Sequence, residues 1–324
     1  MKYLPIIYRY LTFAILLGFS AMTAQAQTLW PSKPLRLVVP FPPGTPSDIL
    51  MRSISPDLQR SLGQAVIVEN KPGATGNIGM QDVVTSTDGH SVLVGVDTML
   101  TINPHIYKKM AFQPLESLVP VTQLASFNQM LVCHSGVTAR NVQEFLDLAR
   151  KQAMTYASGG AGSPGHLTME MLSTMAKIPM THVPYKGPGQ AVQDMLGGIV
   201  PCAFLTTAVV GPYVVDGRLK ALAVSGSKRL PAFPQVPTVA ESGFAGFDAT
   251  FTEMVAVPKS MPADRIQKLQ QAMVQALAKP DIRQKELSLG LDPLGNSSED
   301  ARQRLQGEQA RWGAVVARIH LQVD

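Results

Sequence analysis

Cysteine is almost missing from this chain: Cys133 and Cys202 are the two among 324 residues. They form no CxxC pair and have no histidines at ligand spacing, which argues against a structural zinc or iron–sulfur site, and no metal or cofactor is expected. In an oxidising compartment they can bridge if their Cα atoms come within about 7 Å. Both lie in apolar strand-like runs, and buried free thiols are the favoured alternative. Aromatics make up only 6% of the chain, and no Lys/Arg cluster is interleaved with them, so a nucleic-acid partner is not expected.

A long hydrophobic span is also lacking. The apolar run at 11–21 is about half of the ~20 residues that cross a bilayer. It follows Lys2 and Arg9 and precedes Ala24-Gln25-Ala26, the layout of a cleaved secretory signal peptide over residues 1–26. No cysteine follows for a lipid anchor, so a periplasmic product is expected. Removal of Lys2 and Arg9, with no acidic residue among the 26, lowers the formal charge from +5 to +3. The remaining length suits two compact lobes at roughly 150 residues each.

Catalytic signatures are absent as well. No G-x-S-x-G elbow occurs, and Ser163 and His166, three residues apart at one helix start, lack an evident oriented base and oxyanion hole. Residues 160–165 match G-x-G-x-x-G, but 180–183 offer no acidic residue where a dinucleotide site places one. The chain is read as no enzyme, with an exported hydrolase using Ser163 or His166 as a remote alternative.

What is present is a repeating strand–loop–helix pattern. Strand-like runs at 35–39, 65–68, 91–96, 130–134, 154–157, 183–185, 202–205 and 219–224 alternate with turn-rich loops and helical spacing, predicting parallel α/β sheets. Residues 263–278 and 300–317 read as amphipathic helices around a turn at 290–293.

Three loops, 42–48, 73–77 and 158–166, follow strands, open helices and are rich in Gly, Ser and Thr. Helix starts have unpaired N–H groups and a dipole that favours anions, so a ligand carboxylate could be held there without arginine. Each loop could equally be an ordinary capped turn. Asp48 reads either as the N-cap of a helix beginning at Ile49 or as a group near the ligand. His166 reads as a cap or as a hydrogen-bonding group, and Tyr185 as a cavity wall or a core ring.

The loops carry a family resemblance. The stretch WPSKPLRLVVPFPPG at 30–44 resembles the opening of the Bug (TctC-like) receptors, the extracytoplasmic solute-binding components of tripartite tricarboxylate transporters. The resemblance continues through 68–79, 88–95, 156–167, 182–187, 195–198 and 236–243. It implies an α/β, two-lobed periplasmic-binding-protein (type II, Venus-flytrap) fold with two chain crossovers. Residues 27–126 and 248–324 would form lobe 1, and 127–247 lobe 2.

It further implies that Pro43, Gly44, Thr45 and Asp48 on one loop, facing Ser158, Gly159, Gly162, Ser163 and His166 on the other, grip one carboxylate. Thr98, Tyr185, Thr206 and Thr207 would line the rest. The implied role is capture of a small carboxylate for membrane permease subunits, or signalling to a sensor kinase; a monomer is expected. Two departures stand out: Thr45 replaces a usual second glycine, and 204–207 lacks the acidic or amide residues often found there.

Overall fold

The computed structural model describes residues 30–323; the signal-peptide segment lies outside them. Ten strands are connected in one curled sheet. They are β1 (Leu35–Val39), β2 (Val66–Asn70), β3 (Ser91–Val96), β4 (Leu118–His134), β5 (Thr155–Ser158), β6 (Thr181–Pro184), β7 (Cys202–Thr206), β8 (Leu219–Val224), β9 (Thr250–Pro258) and β10 (Leu291–Pro293). The helices are α1 (Pro46–Leu62), α2 (Asn77–Val84), α3 (Thr98–Thr101), α4 (Asn103–Ile106), α5 (Pro114–Ser117), α6 (Val142–Lys151), α7 (Pro164–Ala176), α8 (Pro188–Leu196), α9 (Thr207–Val215), α10 (Ala263–Leu277), α11 (Pro280–Ser288) and α12 (Ser298–Ile319).

The sheet has two halves, and β4 is where they join. From Leu118 to Asn128 this strand pairs antiparallel with β9, and β10 lies on its other edge. From Gln129 to Cys133 it pairs with β7, and from Met130 to His134 with β8. The chain returns near the same place, where Ser225 exchanges hydrogen bonds with Gln129 and Ala249 donates to Ser225 O. The outer strands are parallel: β1 lies between β2 and β3, and β5 lies between β6 and β7. The central strands are not. β3 meets β9 antiparallel, so the all-parallel expectation holds only for the βαβ units.

Burial explains these elements. β1 is buried at four of five positions because helices cover both faces, the signature of an interior parallel strand. α10 and α12 return late in the sequence to the first half, where Trp312 stacks on Phe251 at 5.3 Å. One apolar cluster runs through both halves, from Leu37, Val94 and Phe251 to Tyr156, Leu167 and Phe204, and a second, including Met130, Ala203 and Leu205, lies within the second half.

Two expectations are corrected. Cys133 and Cys202 are joined in a disulfide, not left as free thiols, because the register of β4 on β7 sets them opposite each other with Cα atoms 4.0 Å apart. The first helix begins at Pro46, with Thr45 at the N-cap position in extended conformation but making no side-chain cap hydrogen bond, so Asp48 is not its N-cap. Proline suits that first helical position because its missing N–H would have no intrahelical partner. The 290–293 turn region also contains β10, preceded by the unpredicted α11.

Candidate functional site

Four helices present their N-terminal ends to one small cavity between the halves. Thr45, Pro46 and Ser47 come from α1, Ser163, Pro164 and Gly165 from α7, Gly187 and Pro188 from α8, and Thr206 is the N-cap of α9. The cavity holds ≈ 140 Å³, is partly open, and is also lined by Phe41, Val96, Phe127 and Leu205. An adjoining space of ≈ 590 Å³ shares Phe41, Pro42, Gly159, Ser163 and Lys186 and extends to Thr75, Thr98, Tyr107 and Tyr185. A further hollow of ≈ 550 Å³ lies along α1 by Arg52 and Gln59; it is a broad surface depression away from these helix starts. Four positive dipole ends around so small a volume favour an anion there.

The loops are held from behind. Asp48 is 3% exposed and accepts hydrogen bonds from Gly44 N at 3.0 Å, Asn70 Nδ2 at 3.0 Å and Arg52 Nε at 3.0 Å. Burial alone would raise its pKa, but these bonds outweigh it and hold the group below its ordinary value. On the facing loop, Ser158 Oγ bonds Gly160 N at 3.1 Å and His182 Nε2 at 2.6 Å, and Gly162 N donates to His166 Nδ1 at 3.0 Å. The two imidazoles stack at 3.7 Å. Burial lowers their pKa values, to about 3 for His166, with His182 adding, and to about 4 for His182. They are neutral at physiological pH.

Glycine is required where this loop meets its neighbours. A Cβ on Gly165 would lie 2.1 Å from Phe204 O, and one on Gly162 would lie 2.4 Å from Ile106 Cδ1. Gly162 also has φ +75, which side-chain-bearing residues rarely adopt.

Of the residues read from sequence, Thr45, Thr98, Gly159, Ser163, Tyr185 and Thr206 lie on the cavity walls. Tyr185 donates its hydroxyl to Asp194 at 2.7 Å, and burial with that bond raises its pKa to about 12. Seven others are placed elsewhere. Pro43 and Gly44 are exposed; Asp48, Ser158, Gly162 and His166 sit behind the loops; buried Thr207 packs beside Gly290. The N–H groups of Gly160 and Gly162 donate within the loop, to Ser158 Oγ and His166 Nδ1.

Several wall residues were missed. Lys186, an exposed residue, lines both spaces. Gln129 and Glu253 lie on the wall of the smaller cavity, at 2% exposure each. Ser47 Oγ donates to Glu253 Oε2, yet burial raises the Glu253 pKa to about 7. Nearby Asp97 accepts from Thr252 N and Oγ1, and burial above all raises it to about 7, with Glu308 and Glu253 adding. A single acid inside the apolar run 251–257 was the available signal, since buried carboxylates are rare without a purpose. Thr45 Oγ1, Gln129 Nε2 and Thr206 Oγ1 are buried without a hydrogen-bond partner. Such atoms cost about 1–3 kcal/mol each unless something completes them.

Among the described residues there is no group of three or more His, Cys, Asp or Glu able to hold a metal, and no helix long and apolar enough to cross a membrane. Ser163 Oγ caps α7 by accepting from His166 N, while the His166 ring nitrogen Nδ1 faces Gly162 N.

A two-lobed binding protein with its cavity at converging helix starts is the class that fold and site define. Residues 50–321 match the family described as tripartite tricarboxylate transporter family receptor (TctC), and the chain belongs to that family. The protein BugT of Bordetella pertussis is 31% identical over 291 residues, covering 89% of each chain. Among solved structures, Rpa4515 of R. palustris with adipate is 28% identical with a TM-score of 0.85, over 90% of this chain and 99% of that one. MatC from Rhodopseudomonas palustris with bound malate is 28% identical with a TM-score of 0.82, over 89% and 100%.

Proposed function

We propose that the mature protein captures a small carboxylate-bearing metabolite in the interlobe cleft, without chemically changing it, and delivers it to the membrane permease of a tripartite tricarboxylate-type transporter. The observation that carries this reading is the meeting of four helix N-termini at one cavity between the halves. The adipate and malate named for the two similar structures support the ligand class, and the family description supports the transporter. Lobe 1 comprises 27–126 with 248–324, and lobe 2 comprises 127–247. In support, β4 changes partners between Asn128 and Gln129.

Closure demands that the ligand bind the closed form more tightly than the open one. Calorimetry of the protein lacking residues 1–26 tests this against mono-, di- and tricarboxylates, aromatic acids, half-amides and amino acids. Saturable binding of one acid is expected. Failure of every acid to bind overturns the reading.

A further inference from the structure

We infer that Glu253 makes the smaller cavity selective for a carboxylic acid whose far end carries an N–H donor, a carboxamide or an ammonium group, and hostile to a second carboxylate. This rests on the carboxylate-capture reading and narrows its ligand class. Glu253 stands on the cavity wall at 2% exposure, and the hydrogen bond from Ser47 is the compensation for its burial among the described residues. A buried carboxyl group in that position is completed either by a proton or by a donor from the ligand.

The same wall includes Gln129, whose Nε2 is a buried donor with no partner. A carboxamide N–H completes the Glu253 acceptor, and Gln129 lies on the same wall, four residues along β4 from Glu253's register partner Ala125. An ammonium group satisfies Glu253 alone. A carboxylate brings only acceptors and sets like charges together inside a cavity of ≈ 140 Å³. The ligand's single carboxylate then lies at the start of α7, where Ser163, Pro164 and Lys186 border both spaces and the helix N-terminus favours an anion, leaving the Glu253 part of the wall to the donor group. Burial holds Glu253 near pH 7, with Asp97 the acidic neighbour and Lys186 the cation on the cavity wall. Discrimination is therefore stronger above that pH, and weaker below it, where a protonated Glu253 can donate to a carboxylate.

The test is calorimetry at pH 8 and pH 6 of succinate, glutarate and adipate, each against its half-amide and the ω-amino acid of equal length. For at least one length the half-amide or amino acid is expected to bind roughly tenfold or more tightly than the dicarboxylate at pH 8, a like-charge penalty of about one pKa unit or more. The margin should shrink at pH 6. Glu253→Gln should reduce the preference severalfold and remove its pH dependence. Dicarboxylates binding as tightly as their partners at every length in the wild-type protein overturn the inference, whether or not the variant folds. Absence of binding by all of these and by every acid of the wider screen instead overturns the carboxylate reading, and this inference with it.

Discussion

The Thr75 hydroxyl donates to Ala161 O at 3.0 Å, joining the loop that precedes α2 to the glycine-rich loop that precedes α7 across the cleft. Tyr107 Oη lies 2.9 Å from the same hydroxyl. Since the single Thr75 proton goes to the carbonyl, Tyr107 is the donor in that second bond. Thr75 holds φ +50 beside Ala74 at φ +46, an uncommon pair of left-handed residues that places the hydroxyl at the cleft.

This contact bridges the two halves, so it favours the closed form. Thr75→Val is expected to weaken ligand binding by several-fold, through faster release, because a net hydrogen bond contributes about 0.5–1.5 kcal/mol. Stopped-flow dissociation measures it; an unchanged off-rate would remove the latch role.

Asp97 links stability to pH. Its carboxyl is raised from 3.8 to about 7 in the folded state. The folded protein therefore holds this proton more tightly than the unfolded chain, so the contribution is fully present below about pH 4 and is lost as pH rises toward 7. Asp97→Asn keeps an oxygen for Thr252 and removes the titration. Urea titrations across pH 4–8 should show a decline that is smaller by a few kcal/mol in the variant than in the wild type, the remainder coming from Glu253 and Glu286, which are also raised to about 7. Parallel curves for the two proteins would contradict the assignment.

His166 acts on the ligand loop without touching the cavity. His166→Leu leaves Gly162 N–H without its acceptor and should cost about 1–3 kcal/mol of stability. His166→Asn, which can present an oxygen to the same N–H, should recover part of it. Thermal melting of both variants decides; equal losses would mean that the hydrogen bond is not what matters. In the wild type the depressed pKa values of His166 and His182 oppose Asp97: their contribution is present above about pH 6.5 and is lost as pH falls toward 4 and 3.

The Cys133–Cys202 bridge closes a loop with a sequence separation of 69. Chain-entropy arguments give about 4 kcal/mol for a loop of that size. Replacing both cysteines by alanine should lower the melting temperature clearly, and a reductant should then have no further effect on the variant. A melting temperature equal to the wild type's would show that the bridge contributes little.

Much of the fold was legible in the sequence because local pattern and tertiary fate agree. The strands Leu35–Val39, Ser91–Val96 and Leu219–Val224 and the helix Val142–Lys151 occur at the positions their hydrophobic spacing indicates. β9 escaped notice because Thr250, Thr252 and Glu253 interrupt its apolar run, and β4 was seen only in its last five residues because Thr122, Gln123, Ser126, Asn128 and Gln129 break up the rest. In the candidate site, the loops were legible from Gly, Pro, Ser and Thr at helix starts. Which of their side chains reach the cavity was not, since Asp48 and His166 turn backward to brace the very loops that made them conspicuous.

By itself the sequence determined the βαβ pattern, the capped helix starts and the family to which the chain belongs, all of which are written in local spacing and short motifs. Tertiary structure alone decided that Cys133 meets Cys202, that Thr75 reaches Ala161 and that Glu253 stands among four helix N-termini. Each of these depends on strand register or on the approach of distant segments. Register and approach are set by the packing of whole layers, which no short window of residues contains.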